Sequence, residues 1–206
     1  MCLGRFTGNC QCNELRKRLW SHGCKFRKDY YTGLRKGEAL ALKWNDISFN
    51  NEKITINKTL TYKYAKTSNS KNTYIITSPK TNSSNRIVDI PQGLIELLEE
   101  YKKRIEMIYG NIKGDDFVFG IDRPLSLTTM DRYKNNACKN SNVKQIRIHD
   151  FRHSHASLLI SMNINPLFIS ERLGHKNVST TLDTYSHLFP TNQKEIVLKL
   201  NDIMKI

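Results

Sequence analysis

Thr32-Gly33-Leu34-Arg35-Lys36-Gly37-Glu38-Ala39-Leu40-Ala41-Leu42-Lys43-Trp44-Asn45-Asp46-Ile47 is the stretch at which the chain becomes readable. Tyr31-Thr32-Gly33 reads as a turn and Leu34 to Leu42 as a short helix, with Leu34, Ala41 and Leu42 available for burial and Asn45-Asp46 ending it. Downstream, Ile47-Ser48-Phe49 and Ile54-Thr55-Ile56 alternate around Asn50-Asn51, which is the pattern of a β-hairpin. A stretch rich in Ser, Asn and Lys (66–73) reads as a loop. Tyr74 to Thr77 and Arg86 to Ile90 read as two further strands flanking Pro79-Lys80-Thr81-Asn82-Ser83-Ser84-Asn85. One small antiparallel sheet is therefore expected near the front, with Lys80 beside its turn.

Further along, the pattern turns helical. Gly93 to Ile108 places Leu94, Leu97, Leu98, Tyr101 and Ile105 at helical spacing. Ser126 suits the N-cap of a helix running to about Lys139, and His149 to Met162 carries Phe151, Leu158, Leu159 and Met162. Pro166 to Leu173 is a helix stopped by Gly174, and Ser179 is a candidate cap for another that includes Tyr185. After Pro190, the residues Ile196, Val197, Leu200, Ile203 and Met204 form an apolar stripe on a last helix. The expected class is α+β, mostly helical, with a small antiparallel β-sheet. Upstream of Tyr30, residues 1–28 show no clean helical or strand period.

The 206 residues are 38% hydrophobic and 25% charged, the balance of a soluble globular domain and not of a disordered or fibrous chain. No apolar run approaches the ~20 residues of a membrane span, and Met1-Cys2-Leu3-Gly4-Arg5 lacks the apolar stretch of a secretory signal. Five cysteines, four of them crowded at one end, imply no disulfide framework and fit a reducing cytoplasm. Cys10-x-Cys12 has the wrong spacing for a redox pair or a zinc knuckle. With 33 Lys+Arg against 19 Asp+Glu the formal charge is +14, so a polyanion is the leading partner. Charge alone does not separate nucleic acid from an anionic membrane.

The densest polar cluster is His149-Asp150-Phe151-Arg152-His153-Ser154-His155. His149, Arg152 and His153 share one face at the start of a helix, where the dipole favours an anion. Such a face resembles a phosphate clamp. The same letters approximate the helical zinc motif H-E-x-x-H, although Arg152 would set a cation beside the metal and no third ligand is signposted apart from His175. Taken alone, the window stays undecided. Arg35, Lys80, His149, Arg152, His175 and Tyr185 together supply two guanidiniums, an amine, two imidazoles and a phenol, without paired carboxylates for magnesium. That set suits metal-free phosphoryl transfer, with cations stabilising the charged phosphorane and a tyrosine as nucleophile.

The segment from Thr32 to Ile47 resembles the first arginine box of tyrosine recombinases, the phage-type integrases. His149-Asp150-Phe151-Arg152-His153 resembles the family's H-x-x-R box. Glu171-Arg172-Leu173-Gly174-His175 and Thr180-Thr181-Leu182-Asp183-Thr184-Tyr185-Ser186-His187 resemble its LGH and nucleophile boxes. Pro79-Lys80-Thr81 ahead of Ser84-Asn85-Arg86 is similar to its β-hairpin lysine. The boxes occur in family order over residues 30–190.

The resemblance implies residues 29–206 as a catalytic domain that cleaves and rejoins duplex DNA. Tyr185 would attack the scissile phosphate to give a 3′-phosphotyrosine. Arg35 and Arg152 would hold the non-bridging oxygens, and Lys80 would protonate the leaving oxygen. His149 would assist proton transfer, His175 would hydrogen-bond the phosphate and Glu38 would orient Arg35. Neighbouring cations are expected to favour the phenolate. His153 and His187 read as helix-end or structural partners. The resemblance implies no cofactor and no metal, a homotetramer on DNA with exchange of the C-terminal helix, and no membrane partner. Family members carry a helical core-binding domain ahead of the catalytic one, whereas residues 1–28 do not match it. The alternative expectation is therefore a truncated, non-catalytic DNA-binding remnant.

Overall fold

The computed structural model describes residues 31–63, 73–78, 84–189 and 193–204. Residues 1–28, Lys80 and nearly all of the expected 66–73 loop lie outside the described residues. The architecture is the expected helical α+β one, but the strands among the described residues form two sheets where the sequence suggested one.

Helix α1 (Lys36–Ala41) is shorter than the Leu34–Leu42 span, because Gly33 turns the chain with φ +65° and Arg35 is already extended. It packs on strand β3 (Thr59–Lys63) so closely that a Cβ on Gly37 would lie 2.8 Å from the Leu60 carbonyl oxygen. A 3₁₀ turn at Trp44–Asp46 leads into β1 (Ile47–Ser48) and β2 (Lys53–Ile56), paired antiparallel as the hairpin pattern indicates. Strand β2 alternates, burying Ile54 and Ile56 and exposing Lys53 and Thr55. Its other edge takes β5 (Arg86–Asp89), so the three-stranded order is β1-β2-β5.

Strand β3 (Thr59–Lys63) was not anticipated. It pairs with β4 (Thr73–Thr77) in a separate two-stranded ribbon, so the strands at 74–77 and 86–90 belong to different sheets. All five β4 residues are exposed, and without a buried face their side chains carry no alternation that assigns them to a sheet.

Helix α2 (Gln92–Tyr109) buries Leu94, Ile95, Leu98, Tyr101 and Ile105 against the three-stranded sheet and Trp44. Ser126 caps α3 (Leu127–Asn140), its hydroxyl accepting from the Thr129 N–H at 3.1 Å. Helix α4 (Ile148–Ser161) buries Arg152, His155, Ala156 and Ile160, and the Met162 that follows it is exposed. Helix α5 (Pro166–Leu173) has proline at its first position, an Asn165 side-chain cap and a left-handed Gly174 at its end. Helix α6 (Val178–Tyr185) has Asn177 at its N-cap position without a side-chain cap bond, which leaves Ser179 inside the helix. Helix α7 (Gln193–Met204) closes the described chain with Val197, Leu200, Ile203 and Met204 exposed. No helix among the described residues is long and apolar enough to cross a membrane.

Candidate active site

Three backbone features set the site: the Gly33 turn before α1, the N-terminal turns of α4, and the Gly174 turn between α5 and α6. Gly33 has a positive φ, and a Cβ there would come within 2.7 Å of the His155 ring and 2.8 Å of Leu173. Glycine is thus required twice over, by conformation and by the close approach of α4 and α5. The Gly33 carbonyl accepts from Arg152 Nη1 at 2.7 Å.

Arg152 is 4% exposed on α4, and its Nη2 is buried with no hydrogen-bond partner among the described residues. A buried guanidinium N–H without a partner is costly, which marks the space it faces as a place for an acceptor. Burial, then the charges of Arg35 and Arg86, pull the Arg152 pKa down to about 9, leaving the group cationic at neutral pH. Arg35, at the N-terminus of α1, donates from Nη2 to the Gly174 carbonyl at 2.7 Å and from Nη1 to Glu38 at 2.9 Å.

Glu38 closes the first turn of α1 by accepting from the Arg35 backbone N–H at 2.8 Å. Its two carboxylate oxygens also accept from Arg86 Nη1 and Nη2 at 3.1 and 2.9 Å, with the two side chains only 3% and 7% exposed. Burial pushes the Glu38 pKa up, but the hydrogen bonds and charge of Arg86 with those of Arg35 outweigh it, so the carboxyl sits below its ordinary value. Arg86 continues to the Arg172 carbonyl through Nε at 2.8 Å. Arg172 in turn donates to His155 Nε2 and to the Tyr31 carbonyl, each at 3.0 Å. Two guanidiniums thus hold one carboxylate, two more are joined to this network through backbone carbonyls, and the excess is positive.

Tyr185, at the end of α6, is 4% exposed, and its Oη lies 2.8 Å from His153 Nδ1. The His149 ring meets His153 edge-on at 4.7 Å. Burial raises the Tyr185 pKa and outweighs the lowering by Arg152. The resting nucleophile candidate is therefore a neutral phenol, not the cation-favoured phenolate that the family resemblance led one to expect. His149 is lowered by burial and then by the charges of His153 and Arg152, so it is neutral with a lone pair at neutral pH. His175 is pulled down to about 4 by burial and by Arg152, Arg35 and Arg86, and its Nδ1 lies 2.8 Å from Thr181 Oγ1.

Of the residues singled out from the sequence, Arg35, Glu38, His149, Arg152, His175 and Tyr185 are thus linked by contacts or mutual charge. Lys80 lies outside the described residues. Four participants were missed or set aside: Arg86, Arg172, Thr181 and His153, which was read as a structural partner. Arg172 and Thr181 sit inside the quoted boxes, and His153 shares the face of His149. Arg86 sits in the quoted β-hairpin segment, but nothing local pointed to its bond with Glu38, which lies 48 residues away. Among the described residues no group of three or more His, Cys, Asp and Glu side chains could hold a metal ion, and His153 Nδ1 is engaged by Tyr185. Cys138 is a buried free thiol.

Comparison with known proteins gives a consistent result. The model of the phage integrase family matches residues 9–192. The ICEBs1 integrase of Bacillus subtilis (strain 168) is 38% identical over 180 residues, covering 85% of this chain and 47% of that protein. A XerC-like tyrosine recombinase of Caldanaerobacter subterraneus subsp. tengcongensis is 30% identical over 210 residues, covering 94% of this chain and 53% of that protein. The chain thus spans about half the length of the curated relatives it matches. Among solved structures, the Tn1549 transposon integrase in complex with transposon right end DNA superposes with a TM-score of 0.68 at 20% identity, over 90% of this chain and 60% of that one. The catalytic domain of bacteriophage HP1 integrase gives 0.53 at 21% identity, over 94% and 95% of the two chains.

Proposed function

The chain belongs to the phage integrase family, the tyrosine recombinases, and from that premise we propose that it cleaves and rejoins duplex DNA through a covalent bond to Tyr185. The observation that carries this reading is Arg152 Nη2, buried without a hydrogen-bond partner among the described residues on a guanidinium that interacts electrostatically with Arg35 and Tyr185. It is a slot for an anionic oxygen beside a phenol. A phosphodiester fills it with Arg152 and Arg35 on its non-bridging oxygens, supplying the donors that a developing phosphorane needs.

In this reading Tyr185 Oη forms a bond to phosphorus while the bond to the 5′ oxygen breaks. Because the phenol starts protonated, its proton leaves as it attacks. His153 Nδ1, already hydrogen-bonded to it, receives that proton, and the neutral His149 beside it is the next group in line. Lys80 protonates the departing 5′ oxygen, and His175 donates to the phosphate. The ester keeps the bond energy for rejoining, so the residues need no nucleotide. Glu38 orients Arg35. The relatives' DNA-bound structures and the charge of +14 support duplex DNA as substrate. The exposed Val197, Leu200, Ile203 and Met204 on α7 support assembly into a tetramer on DNA by helix exchange.

A nicked suicide duplex tests the proposal. The wild-type chain is expected to trap a covalent adduct that Tyr185→Phe does not form. A wild type that binds duplex at low salt yet yields no adduct at high protein concentration is a DNA-binding remnant, and the catalytic reading falls.

A further inference from the structure

His175 is the imidazole whose proton position decides what it can do. Its Nδ1 lies 2.8 Å from Thr181 Oγ1, and its Nε2 has no partner among the described residues. Since its pKa is pulled down to about 4 by burial and by Arg152, Arg35 and Arg86, the ring is neutral at physiological pH and carries a single N–H. If that proton sat on Nδ1, Nε2 could only accept, and it would offer nothing to a phosphate.

Thr181 resolves which nitrogen is protonated. It is fully buried on α6, and the contact with His175 is the one hydrogen bond of its hydroxyl among the described residues. Helical threonines often send the hydroxyl proton back to the carbonyl four residues earlier. Thr184 on the same helix does so, donating to the Thr180 carbonyl at 2.8 Å, but Thr181 makes no such bond. Were Nδ1 the donor, the Thr181 hydroxyl proton would be left buried and unpaired, which folded proteins avoid. The arrangement that pairs every donor has Thr181 Oγ1–H donating to Nδ1, and the ring proton is then on Nε2.

We propose that Thr181 is a positioning residue that fixes the tautomer of His175, so that Nε2–H is the donor this imidazole presents to a phosphate oxygen held by Arg35 and Arg152. The role of the phosphate rests on the DNA-cleavage reading above, whereas the tautomer does not. Thr181 touches neither nucleophile nor phosphate in this scheme and acts through His175.

The full chain with ¹⁵N-labelled histidine, recorded as a two-bond ¹H–¹⁵N correlation spectrum at neutral pH, reads the tautomer directly. His175 is assigned by the signal lost in His175→Gln. A pyridine-type Nδ1 with a pyrrole-type Nε2 is expected in the wild type. Thr181→Val keeps the shape and removes the hydroxyl; it should erase that preference and slow formation of the phosphotyrosine adduct about tenfold at unchanged DNA affinity. Thr181→Ser should restore both. A protonated Nδ1 in the wild type overturns the proposal. So does a valine variant, or a serine variant if valine does not fold, that breaks this pattern: valine with unchanged tautomer or rate, serine without the wild-type tautomer. A wild type with the expected tautomer that traps no adduct on the suicide duplex refutes the cleavage reading and leaves the Thr181–His175 assignment standing.

Discussion

The front of the molecule, α1 with the three-stranded sheet and α2, buries a continuous apolar core around Leu42, Trp44, Ile54, Val88 and Leu98. The rear, α4 to α6, has a small one, made of Ala156, Ile160, Ile169, Leu173 and Tyr185. Between them runs a polar seam. Arg152 reaches the Gly33 carbonyl, Arg35 the Gly174 carbonyl, Arg86 the Arg172 carbonyl and Arg172 the Tyr31 carbonyl. Guanidiniums hold the two sides by these donors, while Arg152 Nη2 has no partner among the described residues, and it is this donor that the proposed function assigns to a phosphate. The cations of the candidate site are therefore also fasteners, and the front core is the region where stability and activity come apart.

That contrast can be broken by substitution. Leu98→Ala in the front core should cost about 4 kcal/mol in urea unfolding through lost burial and the cavity left behind. The molecules that remain folded should form adduct at the wild-type rate, and a rate loss matching the stability loss would dissolve the distinction. Arg86→Met should cost about 3 kcal/mol, because the buried Glu38 loses one of its two guanidinium partners. Here adduct formation should fall as well, since Glu38 then holds Arg35 less firmly. A stable and fully active variant would show that the seam does not depend on this pair. Gly33→Ala should cost about 2 kcal/mol, from the positive φ and the contact it forces on His155 and Leu173. Its damage should appear as separation of α1 from α4, read by faster amide exchange in the α4 N-terminal turns with the β2 amides unchanged.

The front was largely legible from the sequence because its elements carry their own signals. Ile54 and Ile56 alternate with exposed residues, and Leu94, Leu98, Tyr101 and Ile105 follow a helical period. Helix α5 was legible to the residue, since Pro166 and Gly174 punctuate both ends. Strand β3 was not, because it pairs with a strand exposed along its whole length and neither needs a strong apolar alternation. In α4 the apolar reading favoured Met162, which is exposed, over Arg152 and His155, which are buried. A hydrophobic period locates the face that packs on hydrocarbon, whereas this face packs on a seam of charges. The candidate site residues were legible as boxes, yet their connections were not. The bond of Arg86 to Glu38 and of Arg172 to Tyr31 join residues far apart in the chain, and nothing local announces them.

The gentlest test of the contrast uses pH in place of mutation. His175 is neutral in the seam with a pKa near 4, whereas the unfolded chain restores it to its ordinary value near 6.5. Between those values the unfolded state binds more protons, so unfolding free energy rises with pH across the window and falls as the solution is acidified from about pH 6.5 towards about pH 4. One proton can contribute at most about 1.4 kcal/mol per pH unit, and partial solvent access to the ring makes the real slope smaller. His149, also lowered, adds in the same direction, so the informative quantity is the difference between the wild type and His175→Gln. Urea midpoints taken across this window should converge for the two proteins on acidification, as the wild type loses what its neutral imidazole contributes. Parallel curves would place His175 in solvent and remove it from the seam. Leu98→Ala, by contrast, should run parallel to the wild type throughout, because the front core holds no group that titrates there.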